Sequence, residues 1–417
     1  MTDELARAFA DEWGRVVATL VRVTGDWALA EDAAQDAFAA AAVAWPRDGV
    51  PRSPGAWLTT VARNRALDRL RRAATERSAL AGIAAVQELE EGGAVEPDDV
   101  PDDRLRLIFT CCHPALPLES RVALTLRTLG GLTVEEIAAA FGTTEPAMAK
   151  RLVRARQKIQ RAHIPYRVPS GAALPERLAG VLGVLYLLFT EGYAPSGGAD
   201  VVRPSLSGEA IRLTRVLATL MPGEPEVLGL LALELFQDSR RAARTTADGA
   251  LVPLEEQDRS RWNPSRIAEG EAALGLAERS GAPAGPYLLQ ARIAAQHARG
   301  ERGDRRAIVR HYDALAGLTP SPYVALARAI AVGAAYGPDA GLAALAHLRS
   351  AGALEGNHYL PAAEADLLRR AGRFREAAGA YRAALELVRN DAERAYLERR
   401  LGEVEDSQAG RAAGEQG

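Results

Sequence analysis

Apolar positions recur at helical intervals along nearly the whole chain. Between Ala28 and Trp45, Leu29, Ala33, Ala37, Phe38, Ala41 and Trp45 fall on one side of a helix, and Glu31, Asp32, Gln35 and Asp36 fall on another. The run from Trp57 to Arg72 predicts a second helix, dense in arginine. Between 132 and 160, Ile137, Ala138 and Phe141 mark the inner face of one short helix. Met148, Leu152, Ala155 and Ile159 mark that of the next. Beyond Pro169, Ala/Leu-rich helices alternate with short Gly/Pro turns to the C terminus. No convincing alternating strand pattern occurs, so the predicted fold class is all-α.

Breaks in this pattern divide the chain. Pro46 to Gly55, with Pro46, Gly49, Pro51, Pro54 and Gly55, reads as a polar loop. Residues 76–103 read as a flexible acidic linker. Between Gln87 and Asp103 lie eight acids and no lysine or arginine, interrupted by Gly92, Gly93, Pro97 and Pro101. The expected domains are therefore 1–75, the linker 76–103, a second helical domain 104–165, a large helical domain 170–405 and a disordered tail 406–417.

The sharpest local pattern lies at 132–160. Thr133 with Glu136 three residues on forms a capping box. Gly142 is expected to end that helix in the left-handed region. Pro146 suits the first turn of the next helix, where its missing N–H costs nothing. The second helix presents Lys150, Arg151, Arg154 and Lys158 outward, with Arg156 and Arg161 adding to its charge. This is a helix-turn-helix layout, able to place its second helix in a major groove. A plain helical hairpin with a solvated basic face has the same pattern. The compact spacing, the turn glycine and the basic second helix together favour DNA.

Composition narrows the classes. The 417 residues carry 48% hydrophobic and 25% charged residues, as in ordinary globular proteins, and the formal charge of −3 says nothing about nucleic acid. Charge is local instead: Arg63, Arg65, Arg69, Arg71 and Arg72 stand against Asp68 alone. No basic start followed by an apolar run opens the chain. The longest apolar candidate, Leu178 to Phe189, is shorter than a membrane span, so a cytoplasmic protein with no membrane partner is expected. Cys111 and Cys112 are adjacent; neighbouring cysteines rarely pair, and no second cysteine pair completes a metal site with His113, so buried packing is expected. No phosphate-binding Gly-rich loop and no nucleophile elbow occurs. Glu191, Asp238, Glu255 and Asp258 are the only carboxylates singled out as a conceivable site, and nothing requires one. The chain is read as a non-enzyme without cofactor.

A basic helix beside a loop and an aromatic residue suits melted single-stranded DNA, whose phosphates need cations and whose unstacked bases need a pocket. Here a resemblance becomes specific. Gly25-Asp26, Ala30-Glu31-Asp32, Gln35-Asp36-Ala37-Phe38, Trp57-Leu58, Ala62-Arg63-Asn64, Asp68 and Arg71-Arg72 resemble region 2 of extracytoplasmic-function sigma factors. Residues 104–163 resemble their region 4, and the order of the regions matches. The resemblance implies core RNA polymerase (beta-prime clamp helices and beta flap) and promoter DNA as partners. It implies Glu31, Asp32, Gln35 and Asp36 as polymerase-binding residues. It places the capture of a flipped −10 base at the loop Pro46 to Gly55, supported by Arg63, Asn64, Arg65, Arg69, Arg71 and Arg72. It assigns −35 recognition to Lys150, Arg151, Arg154, Arg156 and Lys158. The loop departs from the family in its richness in proline and glycine, which leaves open the base it reads.

Within the C-terminal half, Ala363 to Leu387 resembles one tetratricopeptide repeat, with Gly372 at its turn. Pro286 to Leu315 and Ser321 to Leu348 read as degenerate helix pairs, so a stacked array is expected. The arrangement is similar to the sigma-factor subgroup with a C-terminal tetratricopeptide-like extension. Its motif-like segments are Leu185 to Tyr193, Phe236 to Arg241 and Leu254 to Trp262. For the last, helix capping and salt bridges are the favoured reading, and an intramolecular surface controlling regions 2 and 4 is the functional one. Two alternatives to a sigma factor remain: a helix-turn-helix regulator with a repeat-type sensor, acting without polymerase, and a repeat scaffold for protein partners.

Overall fold

The computed structural model describes residues 2–76, 103–141, 143–193, 204–246, 250–352, 354–389 and 391–414. Most of the linker and Gly142 lie outside these residues. The described residues are helical, with one isolated bridge, Thr245 to Leu251, and no strand among them. The chain divides into two compact units, Met1–Leu188 and Phe189–Gly417.

The first unit opens with three helices, α1 (Thr2–Thr24), α2 (Trp27–Asp48) and α3 (Pro54–Glu76), which pack on one another. Asp26 starts α2: its carboxylate accepts from the N–H groups of Ala28 (2.9 Å) and Leu29 (3.1 Å). The face of α2 marked by its apolar spacing is buried, with Ala33, Ala37, Phe38, Ala41 and Trp45 inside. Phe9 and Trp13 of α1 close on Phe38, ring centres 5.0 and 5.9 Å away.

The expected loop Pro46 to Gly55 is shorter in the structure. Helix α2 runs through Pro46 to Asp48 and α3 begins at Pro54, leaving residues 49–53 between them. Tertiary packing explains the difference. Trp45 is buried edge-on against Trp57 at 5.7 Å, which holds the last turn of α2 helical past the proline. Gly49, at φ +86°, then ends the helix by donating its N–H to the Trp45 carbonyl.

The same unit continues with α4 (Asp103–Cys111), α5 (Leu118–Thr128), α6 (Val134–Ala140) and α7 (Glu145–Arg161). Helix α4 packs on α1, and α5 to α7 form the helix-turn-helix core. Both cysteines are buried. The Cys112 sulfur lies 3.6 Å from the Thr125 hydroxyl, and burial pushes its thiol up to about 11.

Helix α8 (Ala173–Tyr193) crosses from the first unit into the second. It corrects one expectation from the sequence. At 21 residues it is long and apolar enough to span a membrane, because its helix extends past the charged Glu176, Arg177 and Glu191 that bound the shorter apolar run. Val181, Leu182, Val184, Leu185 and Leu188 are buried, and a core helix has this pattern too.

The second unit is a succession of helices: α9 (Pro204–Leu220), α10 (Pro225–Ser239), α11 (Pro264–Arg279), α12 (Pro286–Ala298), α13 (Arg305–Leu318), α14 (Pro322–Tyr336), α15 (Pro338–Ser350), α16 (Tyr359–Arg370), α17 (Phe374–Leu387) and α18 (Asp391–Gly414). From α13 onward each packs chiefly on its neighbours in sequence, the arrangement of a stacked array. Small residues set the approach. Gly333 and Gly341 meet where α14 crosses α15, and a Cβ on Gly341 would stand 2.8 Å from the Gly333 Cα. Gly372, at φ +74°, turns α16 into α17, which bury Ala365, Leu368, Ala377, Tyr381 and Ala384 against each other. Residues 406–414, expected to be disordered, continue α18. Val404 anchors that helix in the core, and the Ala, Glu and Arg residues that follow favour helix.

Candidate nucleic-acid interface

Two cationic helices stand in the first unit, each presented by its own apolar core. On α3, Leu58, Ala62, Ala66 and Leu67 are buried, which turns Asn64, Arg65, Arg71 and Arg72 outward and leaves Arg63 and Arg69 half-buried. Arg69 bridges back to α2, with Asp32 at 3.1 Å and Asp36 at 2.8 Å. The acidic face of α2 and the basic face of α3 are thus neighbours. These pairs lie in partly exposed positions and contribute little to stability. Near the 49–53 connection, Trp57 is half-buried and Val43 and Val50 are exposed. Gly55 is buried where a Cβ would collide with the Glu12 carboxylate, so the start of α3 sits directly on α1.

The second helix is α7. Thr133 accepts from the Glu136 N–H (3.1 Å) and Glu136 accepts from the Thr133 N–H (2.7 Å), the full capping box at the start of α6. Pro146 lies in the first turn of α7, and Met148, Leu152, Ala155 and Ile159 are buried. Lys150, Arg154 and Lys158, spaced by four, share the exposed face. Arg151 is half-buried: it pairs with Glu119 at 2.9 Å and lies 5.5 Å from the centre of the Phe141 ring.

Arg156 points elsewhere. Two positions beyond Arg154 on a helix it is turned by about 200°, and it reaches the first three helices. Its guanidinium meets Glu31 of α2 at 2.5 Å. Arg127, at the end of α5, meets the other oxygen of the same carboxylate at 2.9 Å, and the Thr128 hydroxyl donates at 3.4 Å to the oxygen that Arg156 holds. The Glu31 side chain is 4% exposed. Of the four acidic-face residues, Asp32 and Gln35 are exposed, Asp36 is half-buried and Glu31 is inside. Sequence spacing gave no sign of Arg127 or Thr128 as partners of Glu31.

In the second unit the charged and aromatic residues of the motif-like segments are held by neighbouring side chains and carbonyls. Asp238 holds Arg241 and Arg266, and Arg241 also donates to Ser207 (2.6 Å). The guanidinium of Arg244 covers the Tyr193 ring at 3.9 Å and donates to the Tyr193 carbonyl. Arg259 covers Trp262 at 4.5 Å and donates to the His297 carbonyl at 3.1 Å. Burial and the nearby Arg240 and Arg259 push His297 down to about 4. Glu255 pairs with Arg370 (3.7 Å), Glu256 with Arg399 and Arg400, and Asp258 caps the turn at Ser260. Capping and ion pairing account for these residues. Asp238, Glu255 and Asp258 face cations and N–H groups and do not converge on a common site.

Comparison with known proteins matches residues 10–76 to sigma-70 region 2 and residues 106–159 to sigma-70 region 4. Residues 177–278 match a family of unknown function, DUF6596. The chain is 42% identical over 395 residues to an uncharacterized protein, R00370, of Rhizobium meliloti, covering 93% of this chain and 92% of that protein. It is 28% identical over 261 residues to a probable ECF RNA polymerase sigma factor, SigI, of Mycobacterium tuberculosis, covering 56% of this chain and 89% of that one. A probable RNA polymerase sigma factor, RfaY, of Xanthomonas campestris is 32% identical over 152 residues, covering 35% of this chain and 36% of that protein. No solved structure matches.

Proposed function

Given that this chain belongs to the sigma-70 family of RNA polymerase sigma factors, we propose that it is an extracytoplasmic-function member in which α3 and the 49–53 connection engage the melted −10 element and α7 engages the −35 element. The observation that carries this reading is the pair of cationic helices, each on its own core, falling within the region 2 and region 4 matches in that order. On α3, Arg63, Asn64, Arg65, Arg71 and Arg72 would hold single-stranded phosphates, beside the half-buried Trp57. On α7, Lys150, Arg154 and Lys158 would neutralise duplex phosphates, and Arg151 would reach the groove from its place beside Phe141. The exposed Asp32 and Gln35 and the half-buried Asp36 suit the basic partner helices expected in polymerase. The second unit, an array of the tetratricopeptide-like kind, would regulate initiation.

Run-off transcription with purified core polymerase tests the proposal. Promoter-specific transcript is expected with this protein and none without it. Strong, sequence-specific duplex binding with no effect on polymerase would support the polymerase-independent regulator instead.

A further inference from the structure

The second unit holds a cavity of about 640 Å³ with a cationic lining. That size falls among small-ligand sites, which span roughly 300–1,000 Å³. Its described lining comes from the Leu254 to Trp262 segment, the end of α12 with the turn after it, α13, α14 and the end of α16. The segment lies across the array. Arg259 donates to the His297 carbonyl of α12, Glu255 pairs with Arg370 of α16, and Glu256 pairs with Arg399 and Arg400 of α18. Gly300 lets the turn after α12 close on it: φ is +65°, and a Cβ there would stand 3.1 Å from the guanidinium carbon of Arg259.

Arg259, Arg305 and Arg370 line this cavity, and each is anchored. Arg259 lies over the Trp262 ring at 4.5 Å, Arg305 donates to the Ala334 carbonyl at 3.3 Å, and Arg370 sits between Glu255 (3.7 Å) and Asp366 (3.6 Å). Among the described residues Arg259 and Arg305 have carbonyl partners and no carboxylate partner. Arginines of this unit with a structural role are held differently: Arg241 and Arg266 share Asp238, and Arg328 pairs with Asp313. Glu255 is the single acid of the described lining, so three cations stand against one carboxylate. His297, neutral at pH 7, adds no charge. The rest of the lining is largely apolar. Ile308 and Tyr312 follow Arg305 on one face of α13, and Ile330 of α14 lines the cavity while 40% exposed.

We infer that this cavity binds a small organic dianion, its carboxylate or phosphate oxygens held by Arg259 and Arg305 and its body laid on Ile308, Tyr312 and Ile330. The planar guanidinium fork suits either group, because each offers paired oxygens. Anchoring the arginines in advance lowers the ordering cost of binding. A dianion also brings the described lining close to neutrality. An acidic peptide would overshoot that balance, and the segment crossing the array favours a compact ligand over a long one. Binding here does not depend on how the first unit meets DNA or polymerase.

Calorimetric titration of the full-length chain with isophthalate, a dicarboxylate, and with AMP, a phosphate monoester, tests the site and separates the two sources of charge. At least one should bind saturably, one to one, and sulfate far more weakly. R305A should weaken binding of that probe about tenfold or more, the loss of one charge-assisted contact. I330E sets a carboxylate at an exposed lining position and should abolish binding, with circular dichroism unchanged. E255Q removes the competing acid beside Arg370 and should tighten binding severalfold, a gain that a purely structural ion pair does not predict. If R305A fails to fold, I330E and E255Q decide. No saturable binding of either probe overturns the site, as does sulfate binding equally well or an affinity unmoved by I330E and E255Q. Preference for hexaglutamate over both probes would make the cavity a groove for acidic peptides and overturn the small-ligand assignment.

Discussion

Glu31 and Arg156 meet at 2.5 Å across 125 positions of sequence, one from the acidic face of α2 and the other from the basic helix α7. Under the proposed function each residue would belong to a surface that meets another molecule. Together with Arg127 they form a buried group of one acid and two bases, with side-chain exposures of 4%, 19% and 13%.

That stoichiometry gives the first prediction. Removing Glu31 alone leaves two like charges face to face, and E31A should lower stability by about 3 kcal/mol. The triple variant E31A/R127A/R156A should recover most of the loss. Urea unfolding followed by the fluorescence of Trp13, Trp27 and Trp45 measures both. A triple variant less stable than E31A would contradict the account.

On α7, Lys150, Arg154 and Lys158 share the exposed face, while Arg156 is turned inward. Each phosphate neutralised contributes about 0.9 to the slope of log affinity against log salt. R154A/K158A should flatten that slope by about 2 for promoter DNA bound with polymerase. Unchanged slopes in a salt titration would remove these residues from the interface.

Glu234 in α10 is fully buried, and one of its oxygens accepts from the Thr214 hydroxyl at 3.1 Å. Desolvation holds its carboxyl well above the usual range, with only partial relief from Thr214 and Arg215. In the unfolded chain it ionises near pH 4.3. Unfolding above that pH therefore releases a proton, and the group destabilises the fold increasingly as pH rises toward its folded value. E234Q should melt at a higher temperature than the parent at pH 7, with the gap closing toward pH 4. A gap independent of pH would show that the carboxyl is ionised in the fold.

Two helical glycines should respond in opposite directions. A Cβ on Gly229 would stand 2.7 Å from the backbone nitrogen of Leu288, whereas one on Gly379 meets nothing within 4 Å. G229A should destabilise the second unit by about 1–3 kcal/mol through overpacking of α10 on α12. G379A should stabilise it by about 0.4–1 kcal/mol by restricting the unfolded chain. Thermal melts of the two variants check the contrast.

The helical class, the helix-turn-helix, the capping box at Thr133 and the turn at Gly372 were legible because each depends on neighbours within a few residues. The periodicity that buries Met148, Leu152, Ala155 and Ile159 is a property of one helix and needs no partner to be seen. The end of α2 was not legible, because Pro46 is a local stop signal and the packing of Trp45 on Trp57 outweighs it. The length of α8 was missed for a related reason: its terminal charges bound the apolar run without bounding the helix.

Sequence by itself determined which residues carry charge and which helices present them, since spacing along a helix fixes direction about its own axis. Only the tertiary structure decided what each charge faces. Glu31 and Asp32 are adjacent and chemically alike, yet one is enclosed by two arginines and the other is exposed. The physical reason is that an ion pair is set by distance in space, and contacts that join residues 96 and 125 positions apart leave no trace in local pattern.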